Sequence, residues 1–219
     1  MNRLALFDCD GTLVDSQHNI YAAMEACFAA AGLDPPCRER TRAVVGLSLV
    51  EAMRAMLPRA EADFHAALAE DYKRAFQAMR ASGLAEEPRY DGIADLLDAL
   101  EADGWLLGIA TGKSDRGVAL CLEAHGLSGR FVTIQTADRH PSKPHPSMVA
   151  QAIAEAGAAP ESCVLIGDTS YDMAMARAGG ATAIGAAWGY HPPDALLRAG
   201  AHHIADLPGD ILQLTKAMA

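Results

Sequence analysis

Short apolar runs alternate with amphipathic stretches along most of the chain. Five of these runs have the length and composition of strands buried on both faces, and they lie at 4–7, 105–110, 131–134, 163–166 and 182–184. Later in the chain, apolar residues recur at helical spacing, which predicts helices over 93–102, 116–125, 147–156 and 173–177. This alternation predicts a parallel sheet with helices on both of its faces.

The segment between residues 16 and 86 interrupts the alternation, because it contains no strand-like run. Helical spacing there predicts helices over 18–31, 49–56 and 60–81. We interpret the segment as a helical cap, which either moves as a lid that excludes water from a site or packs statically. The predicted parts are a core domain at 1–15 and 87–219, a cap at 16–86, and hinges at 14–16 and 82–88.

Composition and charge limit the classes of function. The 219 residues are 51% apolar and 21% charged, which is ordinary for a globular protein with a substantial core. The net charge of −10, without a basic stripe, argues against nucleic acid or a membrane surface as a partner. A small anionic substrate remains compatible with this charge, since a local cation can outweigh it.

Several features of the chain favour a cytoplasmic location. The first apolar run is too short for a secretion signal, and no apolar stretch reaches the roughly 18 residues that cross a bilayer. The five cysteines are scattered and lack a C-x-x-C pair, so they suggest neither a disulfide framework nor a zinc site. The sequence gives no indication of an oligomeric state.

Two carboxylates directly follow the first predicted strand. Asp8 and Asp10 are separated by one residue, so on a continuing strand both side chains share a face. Gly11 then permits a sharp turn. Ligands in parallel sheets bind outside the carboxyl ends of the strands. Paired carboxylates there can bind a cation, attack an electrophile and transfer a proton.

Three more polar segments follow later predicted strands. Thr111 and Gly112 follow the second strand and can hold an anionic oxygen through a hydroxyl and a backbone N–H. Lys143 lies in a loop stiffened by two prolines, which would place its ammonium rigidly. Asp168 ends the fourth strand, and Asp172 lies about one helical turn later.

The four acids Asp8, Asp10, Asp168 and Asp172 would repel one another at one sheet edge unless a cation lay between them. A set of oxygen ligands without Cys or His suits Mg²⁺, which keeps several waters and shares its coordination shell with phosphate. The sequence therefore predicts Mg²⁺ as the cofactor.

The four segments, taken in order, resemble the four motifs of the haloacid dehalogenase superfamily across the whole chain. The insertion after the first strand resembles the small helical cap of that superfamily. The segment 167–180 and the later Trp188-Gly189-Tyr190 are similar to its phosphoglycolate phosphatase-like branch. The resemblance implies an α/β fold with a three-layer Rossmann-like core, a parallel sheet and a small all-α cap domain. It also implies hydrolysis of a small phosphomonoester, phosphoglycolate-like or a sugar phosphate.

The resemblance implies a catalytic role for each motif residue. Asp8 would be the nucleophile that forms an aspartyl-phosphate. Asp10 would protonate the leaving alkoxide and then activate water. Thr111 and the N–H of Gly112 would hold phosphoryl oxygens, and Lys143 would offset the charge of Asp8 and the phosphoryl group.

The same resemblance implies a set of metal ligands. Asp8, the backbone carbonyl of Asp10, and Asp168 would bind Mg²⁺. Asp172 would bind it directly or through water. The motif gives no fixed role to Lys113, which we interpret as a solvated neighbour.

Substrate choice is expected to depend on the cap. Arg42 and Arg54 are candidate substrate contacts near the turn at 46–48, since arginine pairs bidentately with a carboxylate or a second phosphate. The alternative for each arginine is a solvated helix face, which we favour.

Other reactions remain open at this point. A phosphomutase of the β-phosphoglucomutase type uses the same aspartyl-phosphate, and pyrophosphate hydrolysis and a non-catalytic phospho-switch are further alternatives. Dehalogenation needs neither a metal nor a second acid, so Asp10, Asp168 and Asp172 argue against it.

Overall fold

The computed structural model describes residues 2–216. Six strands form one parallel sheet with the order β3-β2-β1-β4-β5-β6. The strands are β1 (Asn2–Phe7), β2 (Trp105–Thr111), β3 (Phe131–Thr136), β4 (Ala158–Gly167), β5 (Thr182–Ala186) and β6 (His203–Ala205). The first five strands were predicted. The pattern missed β6, because its three residues are too few to show a period.

Four helices connect β1 to the rest of the sheet domain, and they are α1 (Gln17–Ala30), α2 (Arg38–Arg42), α3 (Leu49–Met56) and α4 (Ala62–Ala81). The remaining helices are α5 (Ile93–Ala102), α6 (Asp115–Ala124), α7 (Ser147–Ala156), α8 (Ser170–Ala178), α9 (Pro193–Arg198) and α10 (Pro208–Lys216). The predicted helices are all present, with bounds that differ by up to three residues. The pattern missed α2, α9 and α10.

The sheet is covered on both faces, so the predicted three-layer architecture is confirmed. Successive residues of β1 point to opposite faces. Ala5 and Phe7 enter one apolar cluster together with residues of α5, α6 and α10, whereas Leu4 and Leu6 enter the other with residues of α7, α8 and α9. All four side chains are fully buried. The central strand is therefore held from both sides.

The helices α1 to α4 form a third apolar cluster of their own, which includes Met24, Phe28, Met53 and Leu68. We refer to these helices and their loops as the cap. The two chain segments that connect the cap to the sheet run side by side, since the Asp15 N–H donates to the Pro88 carbonyl at 2.8 Å. The division into domains at residues 16 and 86 stays a proposal.

The cap contacts the sheet domain above the carboxyl ends of the strands. The Ser48 N–H donates to the Ser142 hydroxyl at 2.8 Å, and the Tyr171 hydroxyl donates to the Ala43 carbonyl at 2.9 Å. Across residues 2–216, no helix combines the length and the apolar character that crossing a membrane requires. The expected cytoplasmic location stays a prediction.

Candidate active site

Three carboxylates meet at the carboxyl edge of the sheet. The register pairs Phe7 with Ile166 in neighbouring strands, so Asp8 and Asp168 leave β1 and β4 at nearly the same level. Asp172 joins them from the first turn of α8. Each of the three is at most 1% exposed, and one carboxylate oxygen of each lies within 4.8 Å of the others. We call these three residues the acidic cluster.

Local structure fixes the orientation of Asp172. The Thr169 hydroxyl accepts from the Asp172 N–H at 3.3 Å, and the Thr169 N–H donates to Asp172 Oδ2 at 3.1 Å. This reciprocal capping box satisfies two backbone donors at the start of α8. Gly167 allows the close approach, because a Cβ there would lie 2.4 Å from the Asp172 side chain.

The turn after β1 also depends on a glycine. Gly11 has a φ of +79°, and a Cβ at this position would lie 2.1 Å from Asp168 Oδ2. Both the backbone conformation and the space therefore exclude a side chain. The turn can fold back over Asp168, and the Thr12 hydroxyl donates to Asp168 Oδ1 at 2.8 Å.

Lys143 supplies the positive charge of the acidic cluster. Its Nζ lies 2.9 Å from Asp8 Oδ1 and 2.6 Å from Asp172 Oδ1, and its side chain is fully buried. Burial alone would lower the pKa of Lys143, but the two carboxylates raise it above its ordinary value. The lysine therefore stays charged, as the sequence-based role requires.

Burial dominates the electrostatics of the carboxylates. It raises the pKa of Asp8 to about 7, although the ammonium of Lys143 opposes the shift. Burial, followed by the charges of Asp8 and Asp172, raises the pKa of Asp168 well above its usual range. One ammonium therefore does not balance three buried carboxylates.

The acidic cluster fits a divalent cation. Asp8 Oδ2 is buried and has no hydrogen-bond partner among residues 2–216. Buried polar atoms are rarely left unpartnered, and an oxygen-only donor set of this size matches a hard cation. The cluster can therefore hold a metal ion through Asp8, Asp168 and Asp172.

Thr111 and Gly112 lie beside this cluster at the end of β2. Thr111 is buried and, together with Gly112 and Asp8, lines a cavity between the sheet edge and the cap. A Cβ on Gly112 would lie 2.9 Å from the carbonyl oxygens of Gly46 and Leu47. The cap loop therefore closes directly over the Thr111-Gly112 turn.

Asp10 lines the same cavity, but its carboxylate lies outside the acidic cluster. Asp10 Oδ1 lies 2.7 Å from Lys113 Nζ and accepts a hydrogen bond from the Ser16 hydroxyl. Lys113 Nζ also lies 2.7 Å from Glu87 Oε1. The Lys113 side chain is only 10% exposed, so its interpretation as a solvated neighbour is wrong.

Glu87 links the second cap connection to this group. Glu87 Oε1 lies 2.9 Å from the Ser16 hydroxyl, whose single proton it shares with Asp10, and Glu87 also pairs with Arg80 of α4. Burial would raise the pKa of Glu87, but Lys113 and its other partners hold it below its ordinary value. No motif pointed to Glu87 or Ser16. Both residues lie within the predicted hinges, at 14–16 and 82–88, and this position was the only available signal.

We expect Lys113→Met to destabilise the protein by roughly 3 kcal/mol, because it leaves Asp10 and Glu87 as half-compensated buried charges. The double variant Lys113→Met/Glu87→Gln should recover much of that loss. Denaturant unfolding of both variants measures the difference. The matched control is Lys73→Met, which removes an exposed pair with Glu70 and should cost under about 1 kcal/mol. Equal losses in the single and double variants would contradict the expectation.

The structure does not bring Arg42 or Arg54 to the cavity. Arg54 is exposed and pairs with Glu51 at 2.8 Å, one turn away on α3. Arg42 is exposed and donates to the Tyr21 hydroxyl at 3.3 Å. Neither arginine lines the cavity, and their contact with a substrate stays a prediction. The cations that line the cavity are Lys73, Arg80, Lys113 and Arg116.

Comparison with known proteins agrees with this fold. A family model described as haloacid dehalogenase-like hydrolase matches residues 5–186. The chain therefore belongs to the haloacid dehalogenase-like hydrolases, a family of enzymes, and the resemblance seen in the sequence is confirmed.

Relatives extend over most or all of the chain. "Probable phosphatase IndB" of Dickeya dadantii is 32% identical, covering 100% of this chain and 95% of the relative. A phosphoglycolate phosphatase of Xylella fastidiosa is 32% identical over 86% of this chain and 81% of its own. Among solved structures, a hydrolase from Pseudomonas syringae superposes with a TM-score of 0.87 at 26% identity over the full length of both chains.

Proposed function

We propose that the protein is a Mg²⁺-dependent phosphatase that hydrolyses a small phosphomonoester through an aspartyl-phosphate on Asp8. The observation that carries the proposal is the carboxylate of Asp8, which is buried beside a cavity, is held by Lys143 and has one unpartnered oxygen. Phosphatase names among the relatives support the same reaction.

The chain's own residues account for both halves of the reaction. A carboxylate oxygen of Asp8 attacks phosphorus, the bond from phosphorus to the alcohol oxygen breaks, and Asp10 donates the proton that the alkoxide takes up. Asp10 then removes a proton from the water that attacks the aspartyl-phosphate, which releases inorganic phosphate and restores Asp8. Thr111 and the Gly112 N–H hold the phosphoryl oxygens, while Lys143 neutralises part of their charge.

The acidic cluster is the proposed magnesium site. Asp8, Asp168 and Asp172 would hold the ion, together with the backbone carbonyl of Asp10. When bound, Mg²⁺ would neutralise charge that develops on the phosphoryl group. The protein's contribution is to exclude water and to orient the ester, and the contact of the cap with the Thr111-Gly112 turn serves both purposes.

The proposal is tested by phosphate release from a panel of phosphomonoesters and pyrophosphate, with Mg²⁺ and with EDTA. Metal-dependent release from a monoester supports it. Conversion of a sugar phosphate to its isomer without release would indicate a phosphomutase instead. A phosphate that stays on Asp8 for hours would indicate a phospho-switch.

We expect Mg²⁺ binding to weaken as the pH falls below 7. The pKa of Asp8 is raised to about 7 in the metal-free protein, and a carboxylate ligand must lose its proton before it binds. Because one carboxylate titrates with this pKa, the dissociation constant should rise about fivefold between pH 7 and pH 6, and by up to about tenfold per pH unit further down. Calorimetric titration at pH 8, 7 and 6 measures this change, and protons should be released on binding at pH 6. Equal affinity at pH 6 and pH 8 would contradict the expectation.

A further inference from the structure

The cavity above Asp8 has two chemically different sides. The sheet side carries Asp8, Asp10, Thr111 and Lys113. The cap side is mostly apolar, and we call its main side chains the apolar wall: Val44, Val45, Leu47 and Val50. Val50 is 37% exposed, although valine usually avoids water. An apolar surface left open beside a reactive centre is suited to contact with a ligand.

The cavity remains large although the cap already contacts the sheet domain. Ser48 is hydrogen-bonded to Ser142, and the carbonyls of Gly46 and Leu47 lie against Gly112. The volume is nevertheless about 520 Å³. The space therefore remains although the cap loop at 46–48 contacts the sheet domain.

A two-carbon ester is small for this space. The nine non-hydrogen atoms of phosphoglycolate would take up only about half of it, even if each is given a water molecule's share of about 30 Å³. The rest would stay filled with water against an apolar surface, which costs free energy. A larger alcohol would replace that water.

The cations of the cavity give little support to an anionic alcohol group. Lys73 pairs with Glu70, Arg80 pairs with Glu87, and Lys113 pairs with Asp10 and Glu87. Among the described cations that line the cavity, only Arg116 forms no salt bridge, and it is exposed on α6. The positive charge near the apolar wall is thus mostly neutralised by neighbouring acids.

We propose that the substrate is the phosphomonoester of an apolar alcohol, aromatic or branched aliphatic, whose apolar part packs against the apolar wall. This inference rests on the proposed phosphatase function and narrows it. The phosphoryl group lies at the sheet side near Asp8, and the alcohol portion extends toward Val45 and Val50. Burying that portion supplies binding free energy that a two-carbon acid would lack.

The test compares three esters of primary alcohols, so that leaving-group chemistry stays similar: 2-phenylethyl phosphate, ethyl phosphate and 2-phosphoglycolate. We expect kcat/KM for the phenylethyl ester to exceed that for the other two by at least about tenfold. Val45→Thr and Val50→Thr keep the shape of the wall but add hydroxyls. They should lower kcat/KM for the phenylethyl ester about tenfold and lower that for ethyl phosphate by clearly less. Val132→Thr, an exposed position on β3 that does not line the cavity, is the control.

Binding of non-hydrolysable phosphonates separates this inference from the proposed function. In the presence of Mg²⁺, 2-phenylethylphosphonate should bind at least about tenfold more tightly than ethylphosphonate by calorimetry. Preferential binding without turnover of any ester would overturn the phosphatase proposal and support the apolar site. Turnover with equal or higher kcat/KM for phosphoglycolate or ethyl phosphate would overturn the apolar-alcohol proposal and support the phosphatase. Neither turnover nor preferential binding would overturn both.

Discussion

Asp8→Asn is expected to lower Mg²⁺-dependent phosphate release by at least about 10³-fold, because an amide does not replace the carboxylate nucleophile.

The same variant should be more heat-stable than the native protein when both are metal-free at pH 8. Burial raises the pKa of Asp8 to about 7 from an ordinary value near 3.8. The native fold therefore loses stability as the pH rises from about 4 through 7, where a buried carboxylate must ionise. Asparagine carries no such charge.

Thermal unfolding in EDTA at pH 5 and pH 8 measures the second effect. We expect the melting temperature of Asp8→Asn to exceed that of the native protein by several degrees at pH 8, with a smaller difference at pH 5. Mg²⁺ should reduce or reverse the difference at pH 8, since the native site binds the ion more tightly.

The matched control for Asp8→Asn is Asp138→Asn. Asp138 lines the same cavity, but it is exposed and lies outside the acidic cluster. This variant should keep its Mg²⁺-dependent turnover and the native pH profile of stability. Retained turnover in Asp8→Asn would show that Asp8 is not the nucleophile and would contradict the proposed mechanism.

The sequence predicts the sheet and the acidic cluster because both depend on short-range patterns. The residues at the carboxyl end of a strand come directly after its apolar run in the sequence, as Asp8 comes directly after Phe7. Parallel pairing then brings separate strand ends to one edge without further information. The positions of Asp8 and Asp168 could therefore be inferred from the ends of two runs.

The sequence does not predict features that depend on long-range pairing. Lys113 pairs with Asp10 and Glu87, which lie far from it in the sequence. The residues next to Lys113 in the sequence do not reveal either partner, so its burial could not be predicted. Arg42 and Arg54 had suitable chemistry for an anion, but the pattern does not show which face of a short cap helix meets the cavity. The five-residue helix α2 and the three-residue strand β6 are too short to show a period.

Lys143→Met is expected to destabilise the metal-free protein by roughly 3–5 kcal/mol at pH 8, because it leaves the acidic cluster without its ammonium. Among residues 2–216, Lys143 is the only cation within salt-bridge distance of Asp8 or Asp172. The methionine has a similar length and suits a fully buried position, so packing should change little. Phosphate release should fall at least about 10²-fold, since charge on the phosphoryl group loses its partner.

Two conditions should restore the stability of Lys143→Met if charge is the cause. At pH 5, protonation of Asp8 and Asp168, whose pKa values are both raised by burial, should remove most of the repulsion. At pH 8, Mg²⁺ should raise the melting temperature of the variant more than that of the native protein, because the ion replaces the missing positive charge. Lys73→Met, which breaks only an exposed pair, should respond to neither condition beyond the native response. A loss of stability in Lys143→Met that is the same at pH 5 and pH 8, with and without Mg²⁺, would mean that lysine acts there through packing and not through charge.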